Sequence, residues 1–113
     1  MFNEIFNNSV KFDYDGKANE YVSIEEYVLN NKTDSGVVKG VWINPKSKHG
    51  PRGCVVLEGV NVNVPAHMNK DIDFIRNRSE MVDAINAGKC GIRFYKYEKD
   101  GKEYWSGSFY DIE

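Results

Sequence analysis

This chain of 113 residues has two histidines, two cysteines and three prolines, and their scarcity removes several kinds of chemistry at the outset. Cys54 and Cys90 stand far apart with no C-x-x-C spacing, so neither a zinc ribbon nor a redox dithiol is written here. Both are expected to be reduced, buried thiols at strand starts. His49 falls in a loop and His67 follows Pro65-Ala66 at a strand end. Neither has a serine or cysteine motif beside it, and each reads as a surface histidine. No Walker, dinucleotide or zinc spacing occurs, and "GPRG" lacks the strand and helix that would give it meaning. Asp71 and Asp73 open an expected helix, where the macrodipole alone accounts for carboxylates, and Asp13 and Asp15 flank a turn. No catalytic residue, metal or cofactor is expected, and the chain is not read as an enzyme.

Long apolar runs are missing too. Nothing approaches the roughly 18 uninterrupted apolar residues of a membrane span, and "MFNEIFNNSVKF" lacks the charged-then-apolar pattern of a signal peptide. The expectation is a cytoplasmic protein with no membrane contact. At 113 residues, 41% hydrophobic and 13% aromatic, it should fold as a single domain over 1–113 around one core.

A strong charge of either sign is also lacking. The formal balance is −2 with a pI near 5.7, which excludes a protein held on nucleic acid by overall charge alone. The distribution is uneven, however. Residues 1–30 carry two lysines against six acids, residues 31–97 eleven basic residues against six acids, and residues 98–113 two lysines against five acids.

What the chain does have is aromatic residues near its end. "CGIRFYKYEKDGKEYWSGSFYDIE", residues 90–113, contains seven rings. Asp100-Gly101 between two alternating runs is a two-residue type I′ signal, which fixes the register. Tyr97 faces Tyr104, Tyr95 faces Ser106 and Arg93 faces Ser108 on one side. Lys96 faces Trp105, Phe94 faces Gly107 and Ile92 faces Phe109 on the other. A one-residue slip with a bulge at Gly101 would relieve the like-charge pairs Glu98/Glu103 and Lys99/Lys102. It would also separate Trp105 and Phe109 from Ile92 and Phe94. A buried aromatic is worth about 1.5–3 kcal/mol and an exposed charge pair under about 1, so the unslipped register should win. The Ile/Phe/Trp/Phe face is core, which leaves a face of tyrosine, arginine and serine to be explained.

Further elements precede this hairpin. Val10, Phe12 and Tyr14 alternate with Lys11, Asp13 and Asp15, then turn at "DGKAN" into Tyr21-Val22, which reads as a short hairpin. "SIEEYVLNN" carries the capping box Ser23-x-x-Glu26 and should form about two helical turns. "SGVVKGVWI", residues 35–43, reads as a strand ending at Asn44-Pro45. The loop "NPKSKHGPRG" holds Lys46, Lys48 and Arg52 without an acid. "CVVLEGVNVNVPAH" resumes as two strand pieces about Gly59, with Val60, Val62 and Val64 alternating against Asn61 and Asn63. Residues 70–87 should be helical, as one bent helix or as two short ones with Ser79 capping the second, closed by Gly88.

The expected fold is α+β and β-rich. From residue 36 the order of elements resembles that of the five-stranded OB barrel, whose helix lies between the third and fourth strands, and a strongly curved antiparallel sheet with one helix would read alike. Residues 1–34 form an N-terminal hairpin and helix packed on a barrel-like core of residues 35–113. A homodimer through an edge at residues 53–64 is a further expectation.

The functional expectation is non-catalytic binding. A single strand of DNA or RNA is held by cations along its phosphates and by rings that stack on its bases. Lys46, Lys48 and Arg52 supply the first, Tyr95, Tyr97 and Tyr104 the second. Arg93 could do either, and Trp42 is a further ring. The alternative is a protein partner docked on the Tyr/Arg face or on the acidic ends, the latter imitating phosphate, in the manner of small inhibitors carried by phages and mobile elements. The Asn- and Lys-rich style suits an AT-rich bacterial or phage source.

Overall fold

The computed structural model describes residues 12–14, 16, 19–44 and 50–112. Its elements run β1 (Glu20–Ser23), α1 (Ile24–Asn31), β2 (Ser35–Val37), β3 (Gly40–Asn44), β4 (Arg52–Leu57) and β5 (Val60–Asn63). A 3₁₀ turn (Ala66–Met68), α2 (Asn69–Arg76), α3 (Ser79–Asn86), β6 (Cys90–Lys99) and β7 (Lys102–Asp111) follow. The fold is α+β and strand-rich, with two sheets of order β1-β5-β4-β3 and β2-β6-β7.

Neither sheet closes on itself, which corrects the expectation of a barrel. Closure would need the outer edge of β7 to meet the β5 side of the first sheet, and β1 already occupies that side, pairing with β5 in parallel from Glu20↔Val60 to Ser23↔Asn63. The same pairing corrects the N-terminal hairpin: Tyr21 and Val22 belong to β1, and Phe12–Tyr14 form no strand. Val10 and Lys11 lie outside the described residues.

The segment read as one strand over 35–43 is shared between the sheets. Its first part pairs with β6 and its second with β4, and at the switch Val38 donates to Cys90 O at 2.9 Å and Lys39 to Val56 O at 2.7 Å. Val38 is fully buried there, so both sheets close on one core. Residues 53–64 supply no free edge, because β4 and β5 each have a neighbour on both sides. Edge-to-edge strand pairing of two copies therefore finds no open edge in that segment.

Ser23 caps α1 as its sequence requires: its hydroxyl accepts from Glu26 N, and the Glu26 carboxylate accepts from Ser23 N. Such a cap contributes about 1 kcal/mol. The region 70–87 is two helices broken at Asn77-Arg78, and Arg78, not Ser79, is the N-cap residue, without a side-chain bond. Gly88, at φ 74°, ends α3: its N–H donates to Ile85 O at 3.0 Å and that of Lys89 to Ala84 O at 2.9 Å, the paired bonds of a Schellman motif.

Val41, Val55, Leu57 and Val62 from the first sheet meet Ile72, Ile85 and Met68 from the helical layer and Ile92 and Phe94 from the hairpin. Gly53 permits the closest approach, since a Cβ there would collide with Ile72 Cδ1. The outer side of that sheet is covered by the N-terminal segment through a polar network around Asn61, which is 1% exposed. Asn61 Nδ2 donates to Gly16 O at 2.9 Å, Asn19 Nδ2 to Asn61 Oδ1 at 3.1 Å, and Gly59 N to the Tyr14 hydroxyl at 2.8 Å. No helix among the described residues is long and apolar enough to cross a membrane.

Candidate nucleic-acid interface

The hairpin β6–β7 adopts the unslipped register at every pair from Cys90↔Asp111 to Lys99↔Lys102. Asp100 and Gly101 take φ of 54° and 77°, as a type I′ turn requires. Burial explains the outcome. Ile92 and Phe94 are 0% and 1% exposed, Phe94 meets Tyr27 edge-on at 5.5 Å, and Trp105 and Phe109 pack against the same core. The like-charge pairs at the tip remain in water, where Lys96 reaches Glu103 at 3.5 Å and also lies 5.1 Å from the Trp105 ring centre.

The opposite face carries the tyrosines. Tyr97 and Tyr104 are stacked, 5.6 Å between centroids and 28° between planes, and Tyr95 is tilted against Tyr97 at 6.5 Å. Tyr95 and Tyr104 remain 44% and 42% exposed. Tyr14, Gly16 and Asn19 of the N-terminal segment bond to the other sheet. Arg93 shares this face, two residues along β6 from Tyr95, and is exposed.

Tyr97, Tyr104 and Trp105 form one wall of a cleft of about 480 Å³. The other wall comes from distant sequence: Arg52 at the start of β4, Asn63 at the end of β5, and His67 in the 3₁₀ turn. Arg52 Nε donates to Val64 O at 3.3 Å, which fixes its stem; its other guanidinium donors take no partner among the described residues. His67 meets Tyr97 edge-on at 6.3 Å, and its Nε2 lies 2.9 Å from Ser106 Oγ. Glu25, at the start of α1, is the acidic group on the cleft.

Three of the expected ligand-binding residues, Arg52, Tyr97 and Tyr104, therefore line one cleft, with Tyr95 and Arg93 on the adjoining face. Trp42 stands elsewhere. It pairs with Cys54 across β3–β4, meets Tyr21 edge-on at 6.1 Å, and lines a separate apolar cavity of about 550 Å³ with Phe12, Tyr14 and Val56. Lys46, Lys48 and His49 lie outside the described residues. His67 and Asn63 were not foreseen as site residues, since only folding brings them to the hairpin. Tyr110 also lies on the tyrosine face, 42% exposed, its ring occupying the place a Cβ on Gly91 would take. It was not among the expected site residues, although its alternation with Ser108 along β7 is the signal that places it there.

A histidine nitrogen 2.9 Å from a serine oxygen is the spacing of a base and an activated nucleophile. The rest of that machinery is not assembled: Ser106 is 4% exposed, and among the described residues no carboxylate hydrogen-bonds the His67 ring. The contact ties the 3₁₀ turn to β7. Burial pushes the Cys54 thiol up to about 12, with the hydrogen bond from Trp42 acting the other way, and raises Cys90 to about 11 with Asp111 adding to the effect. Both are free thiols held in their unreactive protonated form. Among the described residues no group of three or more His, Cys, Asp or Glu could hold a metal ion, and Asp73 is engaged by Arg76 at 2.8 Å. Comparison with protein-family models, with curated protein sequences and with solved structures finds no significant match to this chain.

Proposed function

We propose that this protein binds single-stranded nucleic acid, without catalysis, through the tyrosine face of the β6–β7 hairpin and the cleft beside it. The observation that carries the reading is the stacked pair of Tyr97, partly buried, and Tyr104, exposed, opposite Arg52 on one cleft. Bases stack on exposed rings for about 1–3 kcal/mol each, independently of sequence, while a guanidinium neighbour takes a phosphate. Tyr95 extends the ring surface and Arg93 adds a second cation on the same face.

The order of elements supports the reading. Counting β2–β3 as one strand, the helices lie between the third and fourth core strands, the element order of an OB fold, although the two sheets form no barrel. The cleft falls between the end of the loop that follows the first core strand and the hairpin that joins the last two, the region where ligands of OB folds are held. The excess of acids over bases, seventeen against fifteen, lies at the two ends of the chain, whereas residues 31–97, which supply Arg52, Arg93, Tyr95 and Tyr97, carry eleven basic residues against six acids.

A protein partner is the second reading. Its favouring observation is Glu25 on the wall of the cleft, a charge that repels phosphate and suits a basic partner. Nuclear magnetic resonance separates the two. Titrating an unstructured pyrimidine oligonucleotide should shift resonances of Tyr95, Tyr97, Tyr104, Arg52 and His67 together and leave Trp42 and Tyr21 unmoved. Shifts spread over the whole surface, or none, would reject nucleic acid as the ligand of this face.

A further inference from the structure

We infer that the groove between α2 and β7 continues the tyrosine site and carries a second stretch of the same single strand, with Phe74 as its stacking ring and Arg78 and Lys70 as its phosphate contacts. The inference rests on the nucleic-acid reading above. It arises because three hollows adjoin through shared walls. The cleft of Tyr97 and Tyr104 shares His67 with a groove of about 480 Å³ between Tyr95 and Phe74. That groove in turn shares Phe74 with a shallow hollow bounded by Lys70, Asp73, Asn77 and Arg78, where the Asp73 carboxylate is paired with Arg76.

Phe74 is the unexplained residue of α2. It is 49% exposed, whereas its neighbours Ile72 and Ile75 are buried and supply the helix's contribution to the core. The Arg78 guanidinium lies 4.0 Å over the Phe74 ring centre, so a cation and an apolar ring are presented together. Arg76, two residues along from Phe74, is taken by Asp73 at 2.8 Å; Lys70 and Arg78 have no carboxylate partner among the described residues. Across the groove β7 offers the exposed Ser108 hydroxyl beside the Tyr95 ring.

Ring, hydroxyl and cation in alternation match base, sugar and phosphate in a single strand. The occupant is fixed by continuity with the cleft and by the two unpaired cations at the far end. Asp71, on the groove's own wall, opposes a phosphate, and this supplies a test in which a substitution should strengthen binding.

The experiment measures affinity for two oligonucleotides, one of about 4 and one of about 12 nucleotides, spanning the usual site size of small single-strand binding modules. For the intact protein the longer oligonucleotide should bind more tightly. Phe74→Ala should lower affinity for it by about tenfold, one stacking contact, and leave the shorter unchanged. Asp71→Asn should raise affinity for the longer one alone. An unchanged affinity of Phe74→Ala for the longer oligonucleotide, with Tyr97→Ala still weakening both, would overturn the extended path while leaving the tyrosine site standing. Binding of neither length to the intact protein would overturn both readings, and the groove would then belong to a protein partner. Phe74 and Asp71 are both accessible to solvent, and unchanged thermal melting of each variant establishes that folding is not at issue.

Discussion

Tyr97 and Tyr104 stand directly across the hairpin from one another and stack at 5.6 Å with 28° between their planes. The pair holds itself in place, so the outer surfaces of two rings are ordered before any ligand arrives, and little side-chain entropy remains to be lost on binding. Replacing either ring by alanine should weaken single-strand binding by about 1–3 kcal/mol and cost the fold under about 1 kcal/mol, the worth of a cross-strand pair. Parallel binding titrations and urea melts check this. Unfolding by either substitution would make the tyrosines structural.

The approach of β4 to α2 depends on Gly53. Its alanine variant would drive a Cβ into Ile72 Cδ1 and to 3.0 Å from Asn69 Oδ1, a clash in a close-packed core that should cost about 1–3 kcal/mol. Adding Ile72→Val, which removes the colliding methyl, should recover part of the loss. The urea midpoint of the two variants measures it.

Asn61 holds the N-terminal segment against the first sheet. Truncation to alanine leaves Gly16 O without its Asn61 donor and takes from the Asn19 amide one of its two acceptors, Leu57 O remaining, and an unsatisfied buried polar group costs about 1–3 kcal/mol. Asn61→Ala should therefore destabilise the protein and speed hydrogen exchange at the amides of residues 19–23 before those of β6 and β7. Simultaneous exchange of both regions would show that the segment is not separable.

Cys54 imposes an alkaline limit. Its thiol is raised in the folded protein to about 12, against about 8.5 unfolded. Between those values the unfolded chain releases the proton and the folded one keeps it, so stability is full below about pH 8.5 and falls as pH rises, by about 1.4 kcal/mol per unit for this group. Cys54→Ala should show a shallower decline between pH 9 and 11 in denaturant melts than the intact protein. Equal slopes would contradict the account.

The hairpin and the first helix were legible from sequence because their determinants are local: a two-residue turn, alternation on both sides of it, and a Ser-x-x-Glu box. The sharing of residues 35–44 between two sheets was not, since Val38 and Lys39 bond to Cys90 and Val56, partners that only the folded chain brings near. Parallel β1–β5 pairing was invisible for the same reason, and four residues carry too little periodicity to reveal it. The charged and aromatic parts of the site were read from composition, whereas His67 joins it through a contact 39 residues away in sequence, to Ser106. Trp42 was included for its ring alone. Its face follows from its pairing with Cys54, which sequence did not register.

The most direct test of the central claim is a fluorescence anisotropy titration of labelled single-stranded DNA and RNA with the purified protein at two salt concentrations. The account predicts saturable binding that weakens as salt rises, because Arg52 and Arg93 displace counterions from phosphates, and that is lost when Tyr97 and Tyr104 are both replaced by alanine. No binding at the lower salt, or binding indifferent to the tyrosines, would contradict it.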